Sequence, residues 1–219
     1  TLADFAHPRL KLDVRAATIR GDGLFFFSNS ALLHDLDAHL VIDRHHLAFA
    51  PATVFLNGGT KATVRGTIAF VPGGRVNLDI ESDQADIDQV IDLWQGPPAE
   101  KKPKEEKRAQ HGSLFILAKA KKGTLGDLHF ERAEGEITLH DGALLIQPLH
   151  FYAGKGYFTG QVVVDHSAGT PPLLKISGHL ENFDAAAIYR QLLKKRGLIT
   201  GTMKGDFYLQ GRAGKDFLP

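Results

Sequence analysis

Lys61-Ala62-Thr63-Val64-Arg65-Gly66-Thr67-Ile68-Ala69-Phe70 decides the fold. Ala62, Val64, Gly66, Ile68 and Phe70 alternate with Lys61, Thr63, Arg65 and Thr67, so an extended chain separates an apolar face from a polar one. A helix would scatter both sets around its axis. The same period of two recurs in Arg75–Glu81, where Val76, Leu78 and Ile80 oppose Asn77, Asp79 and Glu81. It recurs again in Thr202–Gln210, where Met203, Gly205, Phe207 and Leu209 oppose Thr202, Lys204, Asp206 and Gln210. Between such segments stand Gly58-Gly59, Pro72-Gly73-Gly74, Asp141-Gly142 and Gly154-Lys155-Gly156, the residue types that turn a chain sharply. Short alternating strands at this spacing predict an antiparallel sheet.

Two segments break the period. In Asp88–Trp94, Ile87, Val90, Ile91 and Trp94 have helical spacing behind the capping residues Asp86 and Asp88. In Asp184–Arg196, Ala187, Ile188, Leu192 and Leu193 follow Asp184, and Lys194, Lys195, Arg196 and Gly197 close the segment with a basic last turn and a terminal glycine. Each predicted helix follows a run of strands, and that order is an internal repeat. A shift of 97 residues lays Leu36–Gly59 on Ala133–Gly156 without a gap, matching Leu40, Ile42, Leu47, Phe49 and Pro51 with Ile137, Leu139, Leu144, Ile146 and Pro148. After a small gap Val64, Gly66, Ile68 and Phe70 meet Phe158, Gly160, Val162 and Val164.

The expected fold is therefore mainly β with two short helices (β+α). Two antiparallel strand meanders, each ending in a helix, form a curved open β-groove; a closed β-sandwich is the alternative that alternation also allows. The first unit covers 1–95 and the second 113–219, where the chain stops directly after an alternating strand. Between them 96–112 carries Pro97, Pro98, Pro103 and interleaved Lys and Glu with no apolar face, the composition of a disordered, solvated linker. The chain begins at Thr1 without a methionine, which predicts a piece of a longer protein. Its apolar runs, such as Leu24-Phe25-Phe26-Phe27, are far too short to span a membrane.

Composition narrows the function classes. Lys and Arg number 26 against 25 Asp and Glu, too even a balance for the basic stripe a nucleic-acid protein presents to phosphates. With no cysteine, disulfides and thiolate metal sites are excluded, and an exported, oxidising compartment is mildly favoured. Of eleven histidines, His39, His45, His46, His140 and His150 fall in the two repeats, with Asp37 and Asp43 as conceivable co-ligands, but no His-Glu-x-x-His helix organises them and a metal is not expected. Asp83-Gln84-Ala85-Asp86-Ile87-Asp88 lacks the glycine and terminal glutamate of a calcium loop. No nucleophile elbow, phosphate loop or dinucleotide fingerprint occurs, so neither catalysis nor a cofactor is expected.

The segment Phe151-Tyr152-Ala153-Gly154-Lys155-Gly156-Tyr157-Phe158-Thr159-Gly160, the strand Leu174–Leu180, Asn182-Phe183-Asp184 and then Leu198-Ile199-Thr200-Gly201-Thr202-Met203-Lys204-Gly205-Asp206-Phe207 resemble, in that order, the C-terminal region of the AsmA family. Lys155 stands where the family hairpin carries its second glycine. The resemblance covers Leu144–Lys215 and is fainter through the first repeat. It implies a periplasm-facing protein tethered to the inner membrane by an N-terminal helix, similar to bridge-like lipid transfer proteins. On that reading the chain binds or conducts phospholipid acyl chains between inner and outer membrane and supports outer-membrane lipid homeostasis. The alternative is a non-catalytic β scaffold docking envelope proteins during outer-membrane assembly. The expected lipid-facing residues are Leu40, Ile42, Leu47, Phe49, Val64, Ile68, Phe70, Ile137, Leu139, Leu144, Ile146, Phe158, Val162, Val164, Ile176 and Phe207.

Overall fold

The computed structural model describes residues 10–21, 31–55, 60–70, 74–87, 113–125, 128–140, 143–165, 172–186 and 200–212. Its twelve strands are β1 (Leu10–Gly21), β2 (Ala31–Ile42), β3 (His46–Phe55), β4 (Lys61–Ala69), β5 (Arg75–Ser82), β6 (Ala85–Asp86), β7 (Ser113–Leu125), β8 (Leu128–His140), β9 (Ala143–Ala153), β10 (Gly156–Asp165), β11 (Leu173–Asp184) and β12 (Thr202–Arg212). The chain divides into two compact units, Thr1–Leu114 and Phe115–Pro219, the boundary falling inside β7. In the first, β1 to β5 form a meander of antiparallel neighbours, and in the second β8 to β12 do the same. The linker expected at 96–112 lies outside the described residues.

The strand-plus-helix fold expected from the sequence is corrected, because every element among the described residues is a strand. Residues 88–94 lie outside them, and so do 187–196. Asp184, which reads as a helix cap, is the last residue of β11, paired with Thr202 on β12. Its carboxylate accepts the Ala186 N–H at 2.9 Å, so the residue caps the backbone that follows it while its own backbone still pairs as strand. The closed sandwich is corrected too. In each unit the described strands lie in one continuous sheet of sequence neighbours, β1 to β5 and β8 to β12, and not in two facing sheets.

Register explains the alternation. Leu12, Leu40, Phe49, Gly66 and Leu78 are successive cross-strand partners from β1 to β5, and Leu10, Ile42, Leu47, Ile68 and Val76 form the next row. The other face carries charged pairs, with Arg65 reaching Asp79 at 3.0 Å and Glu81 at 3.6 Å, and Arg15 reaching Asp37 at 3.6 Å. Such exposed pairs contribute little stability but disfavour a one-residue slip, which would bring charge onto the apolar face.

The repeat is physical. β3 meets β4 across a bulge between Phe49 and Ala52, and β9 meets β10 across a bulge between Ile146 and Leu149. These bulges place Ala50-Pro51 and Gln147-Pro148 at equivalent points, and a bulge tolerates proline where a regular ladder would need its missing N–H. Past the bulge, however, Ile68 corresponds to Val164 and Gly66 to Val162, because Leu47 and Leu144 are their respective row partners. The sequence alignment that matched Gly66 with Gly160 is thus displaced by two residues. A period of two cannot detect that error, since a shift of two keeps every side chain on its face.

The β2–β3 turn is held by Asp43, whose Oδ1 accepts the N–H groups of His45 and His46, both at 2.8 Å. These two backbone donors hold the Asp43 carboxyl below its ordinary value of 3.8. A lowered carboxylate pKa contributes stability that is fully present above the unfolded value and is lost as pH falls through the folded one. Asp43→Ala is therefore expected to lower the urea midpoint at pH 7, with the difference from the parent shrinking below about pH 4. Urea titrations of both proteins across pH 3–7 check this; a difference that grows on acidification would show that the turn does not depend on the carboxylate.

Candidate apolar binding face

In each unit the residues expected to face lipid come together as cross-strand rows. In the first unit Leu40 pairs with Phe49, and Ile42, Leu47 and Ile68 run in register, with Val64 opposite Ala52. In the second, Ile137, Ile146, Val162 and Ile176 form one row and Leu139, Leu144 and Val164 the next. Phe70 does not join them. β4 stops at Ala69, the Phe70 N–H donates to the His45 carbonyl at 2.6 Å, and the residue is 53% exposed beyond the strand end.

Burial on these faces is distributed unlike that of a closed core. In the first unit Ala38, Ala52, Ala62, Val76, Ala85 and Leu114 are buried, whereas Leu40, Ile42, Leu47, Phe49, Val64 and Ile68 on β2 to β4 are only half-buried. Leu10 and Leu12 on β1 are exposed. A second apolar layer would have covered the large side chains before the small ones, since they reach furthest from the sheet.

The second unit adds what period-two reading missed, an aromatic cluster at one end of its apolar face. Phe158 and Phe183 are 3% and 2% exposed, and with Leu180 they form a core against which Leu149, Phe151, Ala153 and Phe207 pack. Ring centroids lie 4.8 Å apart for Phe151 and Phe158, 6.0 Å for Phe158 and Phe207, 6.1 Å for Phe151 and Phe183, and 6.2 Å for Phe130 and Phe151. These are the tilted and edge-on separations aromatic rings prefer. Two bulges make the convergence possible. One lies between Glu131 and Glu134, with Arg132 at φ 53°, and the other between Leu180 and Phe183, with Asn182 at φ 54°. Each reverses the parity of its strand, carrying Phe130 and Phe183 to the face that simple alternation denies them. Asn182 was the available signal, because asparagine tolerates the left-handed region better than most residues; nothing in Arg132 announces its bulge.

The opposite face of this unit is polar and internally paired. The Tyr157 hydroxyl and His150 Nδ1 share a hydrogen bond of 3.0 Å, His179 Nδ1 lies 2.7 Å from Asp206, and Lys204 Nζ donates to Glu181 at 3.0 Å. That last bond, followed by the lysine's charge, lowers the Glu181 pKa. Arg132 lies over the Tyr152 ring, 3.9 Å from its centroid. Of the histidines weighed as ligands, His39 bonds Asp13, His46 lies 3.5 Å from Asp43 and His150 is engaged by Tyr157. Among the described residues no three His, Asp or Glu side chains are grouped so as to hold a metal ion. Within Asp83–Asp88, Ala85–Asp86 instead form the short strand β6, with the Asp86 N–H donating to the Thr60 hydroxyl oxygen at 3.3 Å and the Ser82 hydroxyl donating to the carbonyls of Lys61 and Gln84.

The resulting chemistry is that of hydrocarbon surface on rigid strands, backed by a self-satisfied polar face. No protein-family model, curated protein or solved structure matches this chain.

Proposed function

We propose that the apolar faces of this chain bind the acyl chains of phospholipids, as a periplasmic, AsmA-like β segment that binds or conducts lipid between two membranes and is tethered to the inner one. One observation carries this reading: large aliphatic side chains stand in register along a strand face and remain only half-buried, as Leu40, Ile42, Leu47 and Ile68 do. Contiguous apolar surface of this kind marks a place where something else is bound. An acyl chain suits it because hydrocarbon removed from water contributes roughly 25 cal/mol per Å² and asks for no hydrogen-bond partner.

Organic extraction of the full-length protein purified from a double-membraned bacterium, followed by lipid mass spectrometry, tests the proposal. Phospholipid is expected to co-purify, and photo-crosslinking groups placed at Ile68 or Val162 are expected to capture it. Full-length protein that yields neither extracted nor cross-linked lipid would refute the reading.

A further inference from the structure

The cations of the first unit differ by position. Arg15 and Arg65 lie along their strands and are paired with Asp37, Asp79 and Glu81. Lys11, Arg44 and Arg75 are exposed and form no ion pair among the described residues, and all three stand at one end of the sheet. Lys11 is the second residue of β1, Arg44 lies in the β2–β3 turn, and Arg75 opens β5 opposite Ala69 at the close of β4. His46, the first residue of β3, is the other partner of Ala69, so five strand ends lie side by side. At about 4.8 Å between neighbours they form a rim roughly 20 Å wide. The turn's own carboxylate, Asp43, is occupied by the N–H groups of His45 and His46. The opposite end of β4 and β5 is acidic, with Glu81, Asp83 and Asp86 against Lys61.

The same rim exposes hydrocarbon. Leu10 at the start of β1 is 54% exposed, Phe70 beyond the end of β4 is 53% exposed, and Val41, the partner of Lys11, is exposed as well. Phe70 is held beside the turn that carries Arg44, because its N–H donates to the His45 carbonyl. Unpaired cations and large apolar side chains in one rim fit a partner that offers anions above hydrocarbon. A nucleic-acid backbone or an acidic peptide offers the anions without the aliphatic layer. A phospholipid surface offers both, its headgroups attracting Lys and Arg while the acyl boundary takes up Leu and Phe.

We infer that this rim docks onto an anionic phospholipid membrane, with Leu10 and Phe70 entering the boundary between headgroups and acyl chains while Lys11, Arg44 and Arg75 take lipid phosphates. The inference concerns the membrane that the chain touches. It does not depend on acyl chains being bound along the apolar face, and either reading can stand without the other. The two are nevertheless contiguous, since Leu10, Ile42, Leu47, Ile68 and Val76 form the last apolar row before the rim.

Flotation of the full chain with vesicles of phosphatidylcholine alone, and of phosphatidylcholine and phosphatidylglycerol in equal parts, tests the rim. Binding is expected to the second kind only, and to fall as salt is added. Arg44→Gln combined with Arg75→Gln is expected to weaken it roughly 30-fold, about fivefold for each cation lost beside an anionic surface. Lys122→Gln combined with Lys155→Gln removes two exposed cations of the second unit and is expected to stay within about twofold of the parent. Circular dichroism checks that each variant is folded. Because the chain has no cysteine, acrylodan on Phe70→Cys reports from that position alone, and its emission is expected to shift to the blue on anionic vesicles. Equal losses in the two double variants would mean diffuse attraction by net charge and would overturn the rim, as would an unshifted label. Tighter binding to a single-stranded oligonucleotide than to vesicles, lost in the Arg44→Gln, Arg75→Gln variant, would assign the rim to nucleic acid instead. No flotation with either vesicle would overturn membrane docking and leave the acyl-chain reading to its own lipid extraction.

Discussion

Phe158→Ala is expected to destabilise the chain by roughly 3–5 kcal/mol, the cost of truncating a buried aromatic whose surroundings relax only in part. The residue is 3% exposed, its ring touches Phe151 and Phe207, and it covers the cross-strand pair Gly160 and Gly178, which have no side chains of their own to close the void. Domains of this kind are stable by only about 5–15 kcal/mol, so the loss is a large part of the whole. Ile68→Ala supplies the contrast. Ile68 packs in register with Leu47 and Val76 but is half-buried, so its truncation is expected to cost about 1–2 kcal/mol. Urea unfolding of both variants, compared at constant m-value, checks the ranking. Equal losses at the two positions would mean that the first unit's face is as covered as the aromatic core, which would also weaken the lipid proposal.

What the sequence made legible follows from what a period of two can carry. Alternation in Lys61–Phe70 and Arg75–Glu81 assigned β4 and β5 and both of their faces, and the registers observed bear it out, with Val64 opposite Ile80 and Arg65 opposite Asp79. Alternation could not fix position along a strand, and hence Gly66 was matched with Gly160 when its counterpart is Val162. Nor could it foresee bulges, each of which costs one residue of phase. Phe130, Phe151 and Phe183 were missed for that reason; each is separated by a bulge from the part of its strand where the pattern was clearest. Pro51 and Pro148 stand at matching positions of the repeat, and the N–H each lacks is also the mark of a bulge. The two predicted helices fall on 88–94 and 187–196, outside the described residues. Asp86 and Asp184 carry good local cap signals, but a cap is a demand of one or two backbone donors, and a strand end or a turn meets it equally well. Tertiary pairing settled Asp184 as strand, through Thr202 on β12.

Gly178→Val is expected to cost about 3 kcal/mol, the upper end of what overpacking a well-filled site does. The first added carbon would stand 2.6 Å from the Thr159 carbonyl oxygen and 2.5–2.9 Å from the Phe158 ring, all closer than van der Waals contact. The ring could swing away, but only into Phe151, Phe207 and Leu180, and the carbonyl belongs to the ladder between β10 and β11. Because two obstacles act together, the double variant Gly178→Val with Phe158→Leu is expected to recover part of the loss and no more. The carbonyl clash persists after the ring is gone. A double-mutant cycle by urea unfolding measures this, and a coupling near zero between two residues in such close contact would be inconsistent with a ring lying over the glycine pair. Full recovery would point instead to the ring as the sole obstacle, with the strands free to part slightly at Thr159. Partial recovery is the outcome that fits a ring packed over two glycines on strands that cannot part at Thr159, since the ring accounts for one of the two obstacles and the backbone carbonyl for the other.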